Sequence, residues 1–306
     1  MSSLIEMLQA LKDRDASQKV DFSKPLDASS VKDKTVLITG GASGLGEASA
    51  RAFAKAGAYV TVADLNEELG SKLEKELVGL GQKVKFVKTD VLDWDSQTNA
   101  FKAAIAFSPA NSLNIVIPCA GTTGGRISLA PPENPEADPP KPTAMGLRTL
   151  LFGEYYTTCL AMHYFSLPTA ATDRSLLLVS SMAGYSGIPL AIEYTTAKHG
   201  VRGLFYSLRA PCKQAGIRVN LLAPTFIDTP MIAHMMEGLK KAGVKFATTE
   251  DCVDAVLRVS SDSTISGRAV CVGGDGNFDL RDDHDGKFGG EELEDYLKRG
   301  MLGIMM

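Results

Sequence analysis

Three side chains in the stretch 180–198, SSMAGYSGIPLAIEYTTAK, could handle a proton together. Tyr194 and Lys198 are four residues apart, a spacing that puts both on one face of a helix, one turn from each other. A phenol with a pKa near ~10 is a weak base at neutral pH. An ammonium one turn away favours the phenolate, so the pair could take a proton from an alcohol or return one to a ketone. Ser180 or Ser181, ending the apolar run before them, could donate a hydrogen bond to an oxygen that gains charge. Surface helix pairs and strand-ending turns are often spelled the same way, so the pattern gains meaning only from its surroundings.

The surroundings alternate. Short β-branched or apolar runs, TVLITGG, YVTVAD, KVKFVKTD, LNIVIPCAG, RSLLLVSS, IRVNLLAP and RAVCVGG, read as seven strands. Between them GEASARAFAKAGA, NEELGSKLEKELVGLG, a stretch near 96–107, TLLFGEYYTTCLAMHYF and a segment from about Glu193 have helical spacing. Nearly continuous apolar strands between helices imply a parallel sheet covered on both faces. The expected fold is therefore α/β, a single-domain Rossmann fold with a doubly wound parallel sheet of about seven strands. Residues 1–30 are expected as a helical extension, 31–275 as the folded domain and 276–306 as a charged, then apolar, tail. Residues 130–143, with six prolines, read as a stiff surface loop.

Between the first strand and the first helix lie Gly40, Gly41, Gly44 and Gly46. Backbone without Cβ can turn sharply and approach a pyrophosphate, and the helix that follows offers N–H donors and the positive end of its dipole. The spacing is T-G-x-x-x-G-x-G rather than G-x-G-x-x-G. Asp64 ends the second strand, eighteen residues beyond Gly46, where a carboxylate can accept both hydroxyls of an adenosine ribose. A 2′-phosphate would meet that carboxylate, and Leu65 offers no cation, so the expected cofactor is NAD rather than NADP.

Bulk composition narrows the class further. The 306 residues are 44% apolar and 22% charged, enough for a substantial core. A net charge of −4 argues against a nucleic-acid partner. The N-terminus lacks the apolar run of a secretory signal, and no stretch reaches membrane-spanning length. Five scattered Cys without a C-x-x-C pair, and four His, argue against a metal site or a disulfide framework and fit a cytoplasmic protein.

Taken together, TGGASGLG (39–46), Asp64, DV (90–91), CAG (119–121), SS (180–181), YTTAK (194–198) and PTFIDT (224–229) resemble the short-chain dehydrogenase/reductase family over about residues 31–275. The resemblance is greatest to its fungal, prostaglandin-dehydrogenase-like members. It implies that the backbone of Gly40, Ser43, Gly44, Leu45 and Gly46 holds the pyrophosphate and that Asp90 and Val91 meet the adenine. Ala120 and Gly121 would lie against the cofactor, and Ile227 and Thr229 would hold the carboxamide. Tyr194 would be the acid/base, Lys198 would also bind the nicotinamide ribose, and Ser181, thirteen residues before Tyr194, would orient the substrate oxygen. Met182, Tyr185, Ile188, Phe226 and Met231 are the expected substrate wall. The resemblance also implies a homodimer or homotetramer.

Two departures stand out. Cys119 replaces the family's Asn before Ala-Gly and reads best as a small core residue. The Asn of the fourth helix is missing, with Leu150 in its place if Gly153 is the matching glycine. The expected activity is interconversion of a secondary alcohol and a ketone on a lipophilic small metabolite, polycyclic ones included, by hydride transfer with NAD(H). The alternative, motivated by the missing Asn and the proline-rich insertion, is a repurposed member catalysing cyclisation or isomerisation in secondary metabolism. A cofactor-sensing binding protein is a third reading, opposed by the intact Ser–Tyr–Lys set.

Overall fold

In the computed structural model, residues 18–131, 134 and 136–282 are described. The helix expected over 3–14 and the tail beyond residue 282 lie outside them. Seven strands follow the apolar runs: β1 (Thr35–Thr39), β2 (Tyr59–Asp64), β3 (Val84–Lys88), β4 (Ile115–Pro118), β5 (Arg174–Val179), β6 (Ile217–Pro224) and β7 (Ala269–Gly273). An eighth, β8 (Gly276–Asp279), extends the sheet past residue 275, where the sequence reading ends the domain. The order is β3-β2-β1-β4-β5-β6-β7-β8, parallel throughout except for β7 with β8. Because GNFD is four residues long and follows a tight turn, nothing in its composition separates it from a loop.

Every residue of β1 and β6 is buried, as strands covered on both faces require. The two faces alternate along each strand: Val36 and Ile38 enter one core, Leu37 the other. The first core is closed by α1 (Gly44–Lys55), α2 (Glu67–Gly79) and α7 (Thr249–Ser261), through Phe53, Leu73 and Val256. The helix α7 is not among the segments read from spacing; a Thr248–Asp251 capping box starts it. The second core takes Phe101 of α3 (Trp94–Phe107), Leu160 of α4 (Glu154–Phe165) and Phe205 of α5 (Ile192–Gln214). A short α6 (Met236–Lys241) follows the 3₁₀ turn Pro230–Met235.

The chain reverses direction across the sheet between β1 and β4, the topological switch point where such sheets bind ligands at their carboxyl ends. The loops leaving β1, β4, β5 and β6 therefore share one rim. They are the glycine turn, Cys119–Gly121, Ser180–Ser181 and Thr225–Thr229.

Candidate active site

The glycine turn is built for close approach. Gly40 has φ +64°, and a Cβ there would lie 2.5 Å from the Cα of Ala120. A Cβ on Gly46 would run into the carbonyl of Gly40. Asn66, Asp93 and Thr248 cap the N-termini of α2, α3 and α7 through their side chains, but Ser43 makes no such bond at α1. The first N–H groups of α1 therefore have no side-chain cap, the condition under which a helix N-terminus can take an anion. Asp64 closes the cradle: Oδ2 accepts the N–H of Ala42 at 2.9 Å and Oδ1 that of Asn66 at 2.9 Å. Thr229 meets the turn from β6, its Cγ2 3.5 Å from where a Cβ on Gly44 would be. A cradle lined by backbone N–H, open where Cβ atoms are missing and ending in a carboxylate fits a dinucleotide.

Around this cradle, Asp90 is exposed, its Oδ1 accepting the N–H of Leu92, and Val91 is buried. Cys119 packs against the first core, and burial pushes its thiol up to about 12, so it is a neutral side chain. Ile227 forms an isolated bridge with Ala247 and leans on the same core.

Of the residues expected to handle a proton, the serines and Lys198 meet at the carboxyl end of β5. Ser180 is spent structurally, its hydroxyl donating to the carbonyl of Lys198 at 2.8 Å. Ser181 is 8% exposed; its Oγ donates to the carbonyl of Pro224 at 3.2 Å and accepts the N–H of Ala183 at 3.1 Å. Lys198, 5% exposed, donates through Nζ to the carbonyl of Val179 at 2.7 Å. Tyr194 is half-buried, and among the described residues its hydroxyl has no hydrogen-bond partner.

Two acidic residues that the sequence reading does not single out belong to this site. Glu154, 3% exposed, accepts the N–H of Val179 through Oε1 at 2.9 Å, and its Oε2 is 3.8 Å from Lys198 Nζ. Burial pushes its carboxyl up to about 7 despite the lysine. The signal available was a single carboxylate in the otherwise uncharged run TLLFGEYYTTCLAM. Glu193, beside Tyr194, accepts the N–H groups of Gly125 at 2.9 Å and Gly146 at 2.8 Å through Oε2. Leu150 is buried within a π-helical stretch, Arg148–Gly153, that joins the turn Met145–Leu147 to α4. Such widened turns are frequent at functional sites. A methyl of Leu150 would lie 3.2 Å from a Cβ on Gly121, so it borders the site as an apolar contact.

On the substrate side, Met231 reaches the same place, its Cε 3.5 Å from a Cβ on Gly121. Met182 and Ile188 are half-buried in the segment between Ser181 and Tyr194. Phe226 packs on Phe246, ring centres 6.2 Å apart. Tyr185, also expected in that wall, has partners of its own. Its ring lies 3.8 Å from the Arg202 guanidinium and its hydroxyl donates to Asp282 at 2.6 Å. It anchors the end of the described chain to α5, because an otherwise buried Asp282 needs donors.

The family model described as short chain dehydrogenase matches residues 34–240. The 5'-hydroxyaverantin dehydrogenase of Dothistroma septosporum is 40% identical over 291 residues, covering 90% of this chain and 95% of its own. The 5'-hydroxyaverantin dehydrogenase stcG of Emericella nidulans is 39% identical, covering 89% and 95%. The NADP-dependent dehydrogenase M3 of a Phoma species is 33% identical, covering 94% and 90%. Among solved structures, a putative short-chain alcohol dehydrogenase from Sinorhizobium meliloti has the same fold, with TM-score 0.69, 22% identity and coverage of 81% and 98%. Proteins with this family's sequence signature bind a nicotinamide dinucleotide and act on small molecules. The chain belongs to the short-chain dehydrogenase/reductase family and is an oxidoreductase.

Proposed function

We propose that the protein interconverts a secondary alcohol and a ketone on a lipophilic small metabolite, using NAD(H) and the Ser181–Tyr194–Lys198 set. The observation that carries this reading is the state of Tyr194: a half-buried phenol, with no hydrogen-bond partner among the described residues, one turn from the buried ammonium of Lys198. When bound, the nicotinamide supplies the hydride acceptor or donor. Tyr194 takes the hydroxyl proton of the alcohol, or returns it to the ketone oxygen, and Lys198 favours its phenolate. Ser181 holds the oxygen that gains charge, exchanging its bond to Pro224 for one to substrate. Gly40, Ser43, Gly44, Leu45, Gly46, Asp90, Val91, Ala120, Gly121, Ile227 and Thr229 are proposed to hold the cofactor.

Met182, Ile188, Phe226 and Met231 are proposed as the apolar wall, which suits a flat or irregular lipophilic ligand. The two relatives named as 5'-hydroxyaverantin dehydrogenases make that compound the first substrate to try. Asp64 supports NAD, since a carboxylate at the end of β2 can accept ribose hydroxyls and would repel a 2′-phosphate; the relatives named NADP-dependent make this the point to measure. With 5'-hydroxyaverantin and either dinucleotide, absorbance should report reduced cofactor, with higher kcat/KM for NAD. Higher kcat/KM with NADP would overturn the cofactor assignment, and product formation without cofactor turnover would overturn the reaction.

A further inference from the structure

Glu154 occupies a place that the sheet itself creates. The strands β4 and β5 pair only through Ile115 with Ser175 and Val116 with Leu176, so they part toward their carboxyl ends. The N–H of Ser180 goes to Leu222 on β6, and alternation turns both polar groups of Val179 the other way, into the gap beside β4. No strand backbone meets them there. Glu154 takes the N–H at 2.9 Å and Lys198 takes the carbonyl at 2.7 Å.

The two side chains thus replace a missing stretch of β4, and they do so with opposite charges 3.8 Å apart. That distance is too long for a hydrogen bond but short for Coulomb attraction where both groups are buried. Glu154 Oε2 has no hydrogen-bond partner. Satisfying one N–H does not require a charge; a neutral amide would do it without the desolvation a buried carboxylate suffers. The charge therefore needs another reason. From the other elements packed here, α5 contributes Lys198, the end of β4 contributes the neutral thiol of Cys119, and β5 contributes backbone. One turn along its own helix, Thr157 and Thr158 are buried and uncharged.

We propose that Glu154 is a positioning residue that sets the charge Lys198 presents to Tyr194. It fixes the ammonium at the β4–β5 gap and, when ionised, offsets part of its field, so that Tyr194 loses its proton at a higher pH than Lys198 alone would dictate. The inference rests on the Ser181–Tyr194–Lys198 reading. Burial, which holds the Glu154 carboxyl up near neutrality, makes this offset responsive to pH in the working range.

The test compares wild type with Glu154→Gln, which keeps an acceptor for Val179 and removes only the charge. The midpoint of the pH profile for alcohol oxidation should move down by about one pH unit in the variant. In the cofactor-free protein, infrared carboxyl bands should include one titrating near neutrality that Glu154→Gln abolishes and Lys198→Gln moves to higher pH. A pH–rate midpoint that stays or rises overturns the inference, as does a Glu154 band indifferent to Lys198→Gln. If Glu154→Gln does not fold, the Lys198→Gln arm on the native carboxylate decides. Full activity in Tyr194→Phe would instead remove the triad reading while leaving the infrared coupling intact, so the two failures are distinguishable.

Discussion

A methyl group at position 46 would collide with the carbonyl oxygen of Gly40 and lie 3.0 Å from the Cα of Gly41. Gly46→Ala must therefore push the glycine turn and the first turn of α1 apart. Overpacking of this kind costs about 1–3 kcal/mol. Because the cradle is made of backbone, dinucleotide affinity should fall about tenfold or more, measured by calorimetric titration. Unchanged affinity would remove the turn from the site. Glycines here were legible in the sequence because the backbone geometry dictates the residue type. Glu154 and Glu193 were not, because what makes them matter lies far along the chain. Glu154 meets Val179 across 25 residues, and Glu193 meets Gly125 and Gly146 across 68 and 47. A lone carboxylate in a sequence carries no mark of the gap it fills.

Among the elements, the start of α5 does more than carry Tyr194 and Lys198. Through Glu193 it also fastens the loop leaving β4 and the turn that begins the π-helical stretch. Glu193→Ala would free two N–H groups from a charged acceptor and should lower stability by about 2 kcal/mol in urea unfolding. Glu193→Gln, which keeps one carbonyl acceptor, should recover part of that loss. Equal stability of wild type and Glu193→Ala would show that the three segments hold together without it. Periodicity located the strands β1 to β7 and the helices α1 to α5, since burial on two faces imposes a readable pattern. It did not locate α7, whose polar positions, such as Asp254 and Arg258, pair with each other four residues apart. Nor could it show the π-helical widening at Leu150, which depends on how α4 meets α5. Gly200 packs so closely there that a Cβ would lie 2.7 Å from Leu151.

The whole molecule is a device for bringing distant residues to one rim. Strand order places β1, β4, β5 and β6 side by side, so the turn at 40–46, Ala120, Ser181 and Thr229 become neighbours although the chain separates them widely. That convergence was inferable only because alternating strands and helices admit few topologies. The far end of the described chain is also tied in. Asp279 of β8 accepts from Arg268 and from the N–H of Val20, and Asp282 reaches Arg202 at 2.9 Å. No helix among the described residues is long and apolar enough to cross a membrane. With this frame intact, Tyr194→Phe removes one oxygen from the rim and nothing from the core. The direct measurement is turnover beside cofactor binding in this variant, with a secondary alcohol that the wild type oxidises. The account predicts wild-type dinucleotide affinity by fluorescence titration and a fall in kcat of at least about a hundredfold. Undiminished turnover in Tyr194→Phe would contradict it.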